Sequence, residues 1–240
     1  MLKIRKLKAK TGTIKLKKEM DKKLSFKIGR DWLFSLMNEY GLAIKKKKRS
    51  IKTTNSRHKF PIYRNEIKDL PTNFPGFIIV SDITYIPTLE GNLYLSLLTE
   101  RNTKKILGYN IGESLIVEES IKALEIALKM LPKTHHEIVY HHSDRGSQYC
   151  CYDYVNILKS QNIRISMTED NHCYENAVAE RVNGILKDEF LLDKFPSKEL
   201  ARKSIKQSIK IYNESRLHQT IDYLTPDEAY YKKWSTYFRN

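Results

Sequence analysis

No stretch of this 240-residue chain approaches the ~20 consecutive apolar residues that a membrane span needs, so no membrane segment is expected. The basic N-terminus is not followed by an apolar run, and no secretory signal is expected there. Cysteine is scarce. Cys150, Cys151 and Cys173 are an odd number without C-x-x-C spacing, which argues against a disulfide framework and against a zinc finger. The histidine pairs His135-His136 and His141-His142 are adjacent residues that point different ways, a poor arrangement for chelation. No self-complementary heptad is visible. These absences leave a chain expected in the reducing cytoplasm, long enough for one sizeable core plus a small accessory domain.

Charge is what the chain has in excess, and it is unevenly placed. Residues 1–60 carry 20 Lys+Arg against 4 Asp+Glu, whereas residues 61–240 carry 23 against 24. All of the net +15 therefore sits in the first quarter. A concentrated basic segment seeks polyanions, of which the nucleic-acid backbone is the usual one; the alternative is a solvated tail that adheres to any anion. Lysine outnumbers arginine 31 to 12, which favours phosphate attraction over base reading.

The pattern divides the chain in three. In residues 1–43, a helix is expected over 12–24 with Ile14, Leu16, Met20 and Leu24 inward. A second is expected through Ile28, Trp32, Leu33, Leu36, Met37 and Tyr40, with Gly41 as its C-terminal cap. Two short helices in a basic segment suggest a helix-turn-helix-like unit. Residues 44–73 read as a basic linker whose run Lys45, Lys46, Lys47, Lys48 and Arg49 either tracks phosphates or keeps the linker solvated. From 74 to 240 three strands are expected at about 77–86, 93–99 and 105–111, with Glu90-Gly91-Asn92 turning between the first two. A helix over 116–131, a strand at 138–141, a helix near 150–161, a strand at 163–167 and closing helices follow. This is the element order of an α/β, ribonuclease-H-like core, a mixed five-stranded sheet flanked by helices.

Three acids occupy distinct settings in that order. Asp82 lies in a strand, Asp144 at a strand end, and Glu180 on a helix where Val178, Val182 and Ile185 form the opposite, apolar side. Asn176, Asn183, Gly184 and Lys187 share the Glu180 stripe. There are 61 residues between the first two acids and 35 between the last two. Carboxylates and waters suit Mg²⁺ or Mn²⁺, and two such ions can serve an in-line displacement at phosphorus. Asp82 and Asp144 would share the two ions and Glu180 would complete the second site. His142, Arg145 and Lys187 have two readings each, contact with DNA phosphate or a local structural role. Tyr152 and Tyr154 read as packing.

The segments Ser81-Asp82-Ile83-Thr84-Tyr85, His142-Ser143-Asp144-Arg145-Gly146-Ser147-Gln148-Tyr149 and Tyr174-Glu175-Asn176-Ala177-Val178-Ala179-Glu180 resemble the DDE integrase core of bacterial transposases. The likeness is to the second-frame protein of the insertion-sequence-three family, and the 35-residue gap is shared with retroviral integrases. Tyr212-Asn213, Arg216, His218 and Tyr223-Leu224-Thr225-Pro226 resemble that family's closing motif. Tyr212, Asn213, Arg216 and His218 are expected to lock the last helices onto the core rather than to touch DNA. The chain departs from the pattern at Ile79, where the family usually has an aromatic, and at Glu100, where it usually has Asp. The N-terminus is also shorter than is usual in the family.

The resemblance implies Asp82, Asp144 and Glu180 as catalytic metal ligands and metal-dependent 3′-end nicking followed by strand transfer. It implies element ends and target DNA as partners, a homo-oligomer on DNA, and a first-frame partner protein. Two other readings stay open: a metal-dependent nuclease of the same fold that does not join ends, and a catalytically idle DNA-binding relict.

Overall fold

The computed structural model describes residues 10–44, 58–71, 77–131, 138–169 and 173–237. Three strands form an antiparallel meander, β1 Phe77–Thr88, β2 Gly91–Glu100 and β3 Ile106–Gly112. Helix α3 (Val117–Lys129) then crosses to β4 (Val139–Ser143), which pairs parallel to β1. The short α4 (Ser147–Cys150) and α5 (Tyr152–Ser160) lead to β5 (Arg164–Met167), parallel to β4. Parallel neighbours need such crossovers, and here the helices supply them. The resulting five-stranded sheet has the order β3-β2-β1-β4-β5.

Alternation along β1 sends its side chains to two cores. Phe77 and Ile79 pack with Leu124, Ala127, Tyr154 and Leu158 from α3 and α5. Ile78 and Val80 pack with Ala179, and Ile86 with Val182, Ile205 and Ile209, from α6 (Ala177–Ile185) and α7 (Lys198–Ser215) on the other face. Each fully buried large aliphatic side chain contributes roughly 1.5–3 kcal/mol. The α3 backbone comes so close to β3 that a Cβ built on Gly108 would stand 2.2 Å from the Ala123 carbonyl oxygen. Glycine is required there by space.

The closing segment is pinned to the sheet. The Tyr212 hydroxyl donates to the Lys104 carbonyl at 2.9 Å, and the Asn213 amide exchanges two hydrogen bonds with the Ile106 backbone. Buried Glu100 accepts from Thr103 N and Oγ1, both at 2.7 Å, and from Lys233 Nζ at 3.2 Å on α8 (Pro226–Tyr237). It thus serves the β2–β3 turn and the last helix.

The N-terminal pair, α1 (Thr13–Lys23) and α2 (Arg30–Glu39), closes over Leu16, Leu33 and Met37. The chain leaves α2 through Gly41 at φ +61°, with Leu42 N bonding the Met37 carbonyl at 2.7 Å and Gly41 N that of Asn38 at 3.0 Å. That is the left-handed cap the sequence suggested.

Several expectations need correction. Ile14, Leu24, Trp32 and Tyr40 are exposed, because two helices meet along one narrow line and side chains off it stay in water. The β1–β2 turn is Leu89-Glu90, since Thr88 already pairs with Gly91. The helix expected near 150–161 runs from Tyr152 to Ser160, and extended backbone at Cys151 separates it from the short α4 before it. Tyr154 is fully buried, but Tyr152 is exposed, its ring edge-on to Phe60. Within the expected linker, residues 58–71 lie on the core: Ile67 is buried, and Met167 N bonds the Arg64 carbonyl at 3.2 Å.

Candidate active site

Asp82 sits at the middle of β1 on the α6 face, opposite Leu97 in register. The strand supplies a rigid mount, and the price is partial desolvation of a carboxylate. Asn183 on α6 answers it: its Nδ2 donates to Asp82 Oδ2 at 2.7 Å. At the N-terminus of the same helix, Asn176 Nδ2 donates to the Ser81 carbonyl at 2.8 Å. These two amides tie α6 to β1 on either side of Glu180.

Asp144 follows β4, which runs parallel to β1 and delivers the residue to the same sheet edge. Its Oδ1 accepts from Gly146 N at 3.0 Å, an Asx-type turn that fixes the carboxylate at the entry to α4. Asp82 and Asp144 line one cleft together with Thr84, Tyr85, Gln148 and Tyr149. Glu180 projects from the exposed face of α6 and is not part of that lining.

The three charges nevertheless share one field. Burial raises the Asp82 carboxyl to about 7, against the Asn183 hydrogen bond, and the Asp144 and Glu180 charges push it further. Glu180 is raised by burial and then by Asp144. Among the described residues, no group of three or more His, Cys, Asp or Glu side chains is arranged closely enough to hold a metal ion. The structure therefore gathers Asp82 and Asp144 into one cleft and holds Glu180 within electrostatic reach, without closing a cage. An all-oxygen set whose members repel one another fits a hard divalent cation, which removes that repulsion when it binds.

Beneath the acids lies a buried polar chain. His141 Nε2 is 2.7 Å from Ser81 Oγ and 3.0 Å from the Tyr154 hydroxyl, and burial lowers the imidazole to about 3. The ring is neutral, so one of its nitrogens carries a proton and the other accepts. His142 is fully buried with Nδ1 2.9 Å from Ser166 Oγ, and its place in the core corrects its reading as a DNA contact. Arg145 donates from Nε to the Thr168 carbonyl at 2.8 Å, and its own carbonyl accepts from His58 Nε2 at 2.8 Å. It braces the loop that carries Asp144. Lys187 is half-buried in the turn that follows α6. Lys45, Lys46, Lys47, Lys48 and Arg49 lie outside the described residues.

Sequence reasoning placed Asn176 and Asn183 on the Glu180 stripe without giving either a role. The signal was present: amides at i−4 and i+3 from an acid share its face, and a buried strand carboxylate needs a donor.

Comparison with known proteins follows the same lines. Residues 73–173 and 161–226 match two family models, each described as Integrase core domain. The chain is 38% identical over 203 residues to the insertion element IS600 uncharacterized 31 kDa protein of Shigella sonnei, covering 83% of this chain and 74% of that protein. It is 30% identical over 195 residues to the transposase InsF for insertion sequence IS3 of Escherichia coli, covering 80% of this chain and 67% of that one. Among solved structures, the HTLV-2 integrase catalytic core domain in complex with magnesium aligns with a TM-score of 0.51 at 18% identity, over 65% of this chain and 96% of that one. The simian T-cell lymphotropic virus intasome aligns with a TM-score of 0.54 at 18% identity, over 73% and 60%. At such identity the likeness concerns the fold, and it is the mixed five-stranded, ribonuclease-H-like sheet described above. Fold, family models and relatives agree, and this chain belongs to the integrase-core transposases of the IS3 insertion-sequence family.

Proposed function

We propose that the chain carries out metal-dependent nicking at the 3′ ends of its element and transfers the freed ends to new DNA, with Asp82, Asp144 and Glu180 as the metal-holding carboxylates. The observation that carries this reading is that Asp82 and Asp144 line one cleft with the Glu180 charge in reach of both, so that burial first, and then the two neighbouring charges, raise Asp82 to about 7. Magnesium or manganese, probed as one or two ions, supplies Lewis-acid stabilisation of an in-line displacement when bound.

The chain's own residues organise that reaction. Asn183 keeps one Asp82 oxygen oriented, and the Gly146 amide does the same for Asp144. Glu180 approaches from a helix, so its reach depends on how α6 is seated. In the first step water forms a bond to phosphorus and the 3′ oxygen leaves, taking up a proton. In the second, that 3′-hydroxyl attacks another phosphodiester, one P–O bond forming as another breaks.

The partners on this reading are the element ends and the target DNA. Two ends held together call for at least two copies of the chain, and a first-frame protein that recognises ends is a further partner. The setting is the bacterial cytoplasm, on chromosomal DNA. The basic segment would anchor the phosphate backbone by counterion release, so affinity falls steeply with salt. Deleting residues 1–50 without weakening binding would remove that role.

The test is a strand-transfer assay on a pre-nicked DNA end, comparing wild type with Glu180→Gln under Mg²⁺ and Mn²⁺. Joined product from wild type alone supports the proposal. Cutting without joining turns it into a nuclease, and DNA binding with neither activity turns it into a relict.

A further inference from the structure

Helix α6 does not end after Glu180. It continues from Ile185 into a π-helical turn, Leu186–Phe190, closed by Leu191 N bonding the Leu186 carbonyl at 3.0 Å. Such turns concentrate at functional sites, because the widened ring must be held by something outside the helix. Here the holder is visible. Glu189, on that turn, receives both Arg216 Nε at 2.8 Å and Nη2 at 2.6 Å, a two-pronged ion pair. Lys15 Nζ, from α1, stands 3.3 Å from the same carboxylate.

The surroundings make this carboxylate a junction. Arg216 is buried at 3% exposure, and its Nη1 donates to His218 Nε2 at 2.8 Å. Burial, and then Arg216, lower the His218 imidazole to about 2, so the ring is neutral and Nε2 is free to accept. Arg216 also lies over the Tyr212 ring at 5.9 Å, and Tyr212 is bonded to the β2–β3 turn. The cations whose charges bear on this cluster are Lys15, Lys104, Arg181 and Arg216. Burial opposes ionisation of Glu189, yet the Arg216 hydrogen bonds and charge, with Lys15, hold its carboxyl below the usual range. Nearby, Lys18 lies over the Tyr223 ring at 5.0 Å, a second link between α1 and the closing segment.

We infer that Glu189 is a positioning residue that joins the N-terminal helix, through Lys15, and the closing segment, through Arg216, to the helix presenting Glu180. The basic N-terminal unit is then more than an anchor on DNA. A load on α1 is transmitted to α6 through one carboxylate, and seating of the N-terminal unit sets how Glu180 meets Asp82 and Asp144. This inference rests on the proposed chemistry for its consequence in catalysis, but the mechanical linkage stands apart from it.

The test uses the full chain and separates the two. Lys15→Met removes the N-terminal link and leaves the Arg216–Glu189 pair, so the fold has no unpaired buried arginine to accommodate. Lys15→Arg is the conservative rescue. Hydrogen exchange of peptides covering 177–190 is measured beside strand transfer of a pre-nicked end. The expected result for Lys15→Met is faster exchange in 177–190, with β1–β5 peptides unchanged. Strand transfer falls roughly 10- to 100-fold, the range for a catalytic group displaced by up to about 1 Å. Lys15→Arg restores both. Faster exchange confined to α1 and α2, with 177–190 and the rate unmoved, would overturn the inference and leave Lys15 a packing contact. A wild type that joins no ends would refute the proposed chemistry, while the exchange comparison would still decide the linkage.

Discussion

Asn183 Nδ2 donates to Asp82 Oδ2 at 2.7 Å, so the helix carrying one acid holds the strand that carries another. The amide's own Oδ1 is buried and has no partner among the described residues. Asn183→Ala is expected to lower strand transfer roughly tenfold or more while costing about 1 kcal/mol of stability. Single-turnover rates beside urea unfolding check this. An unchanged rate would make Asn183 a packing residue only.

Asp82 illustrates a conflict between stability and chemistry. Its carboxyl is desolvated and repelled by Asp144 and Glu180. Asp82→Asn keeps an oxygen for Asn183 and removes the charge. We expect an unfolding temperature equal to or above that of wild type at pH 8 without added metal, with strand transfer reduced at least ~100-fold. A strongly destabilised variant would show that the carboxylate is structural.

Acid sensitivity should follow the buried histidines. His141 and His218 have folded values of about 3 and about 2, both below the ordinary 6.5. The unfolded chain therefore binds more protons between those values. Their contribution is intact above pH 6.5 and declines as pH falls, by up to about 1.4 kcal/mol per pH unit for each ring. Urea midpoints at pH 7.5, 6 and 5 measure it, and a flat profile would contradict the buried neutral rings. His218→Asn should flatten part of the slope.

Gly108→Ala tests the seating of α3. The added carbon would stand 2.2 Å from the Ala123 carbonyl oxygen and 2.6 Å from Ala127 N, both backbone atoms that cannot swing aside. A loss of about 1–3 kcal/mol or more is expected from overpacking. Denaturant titration reads it, and a neutral result would mean that α3 lies further from β3.

Much of this was legible in the chain itself. Hydrophobic alternation fixed β1, β2 and β3 to within a few residues, and the 3.6-residue period set the orientation of α6, with Val182 and Ile185 buried and Glu180 outward. Local patterns suffice there because each element must bury one face. The segment from 58 to 71 reads as linker in the sequence, although Phe60, Tyr63 and Ile67 recur at near-helical spacing, because prolines and charges mask a stretch that packs without forming a regular element.

By sequence alone the chain determined its element order, the separation of its acids and the concentration of positive charge in its first quarter. These are properties of residue type and spacing, and they survive any packing. Only the tertiary structure decided which neighbours answer the buried charges: Asn183 for Asp82, Arg216 and Lys15 for Glu189, Thr168 for Arg145. Those partners lie 23 to 174 residues apart. No local pattern encodes them, because burial creates the demand for a partner and the fold alone determines which donor is in reach.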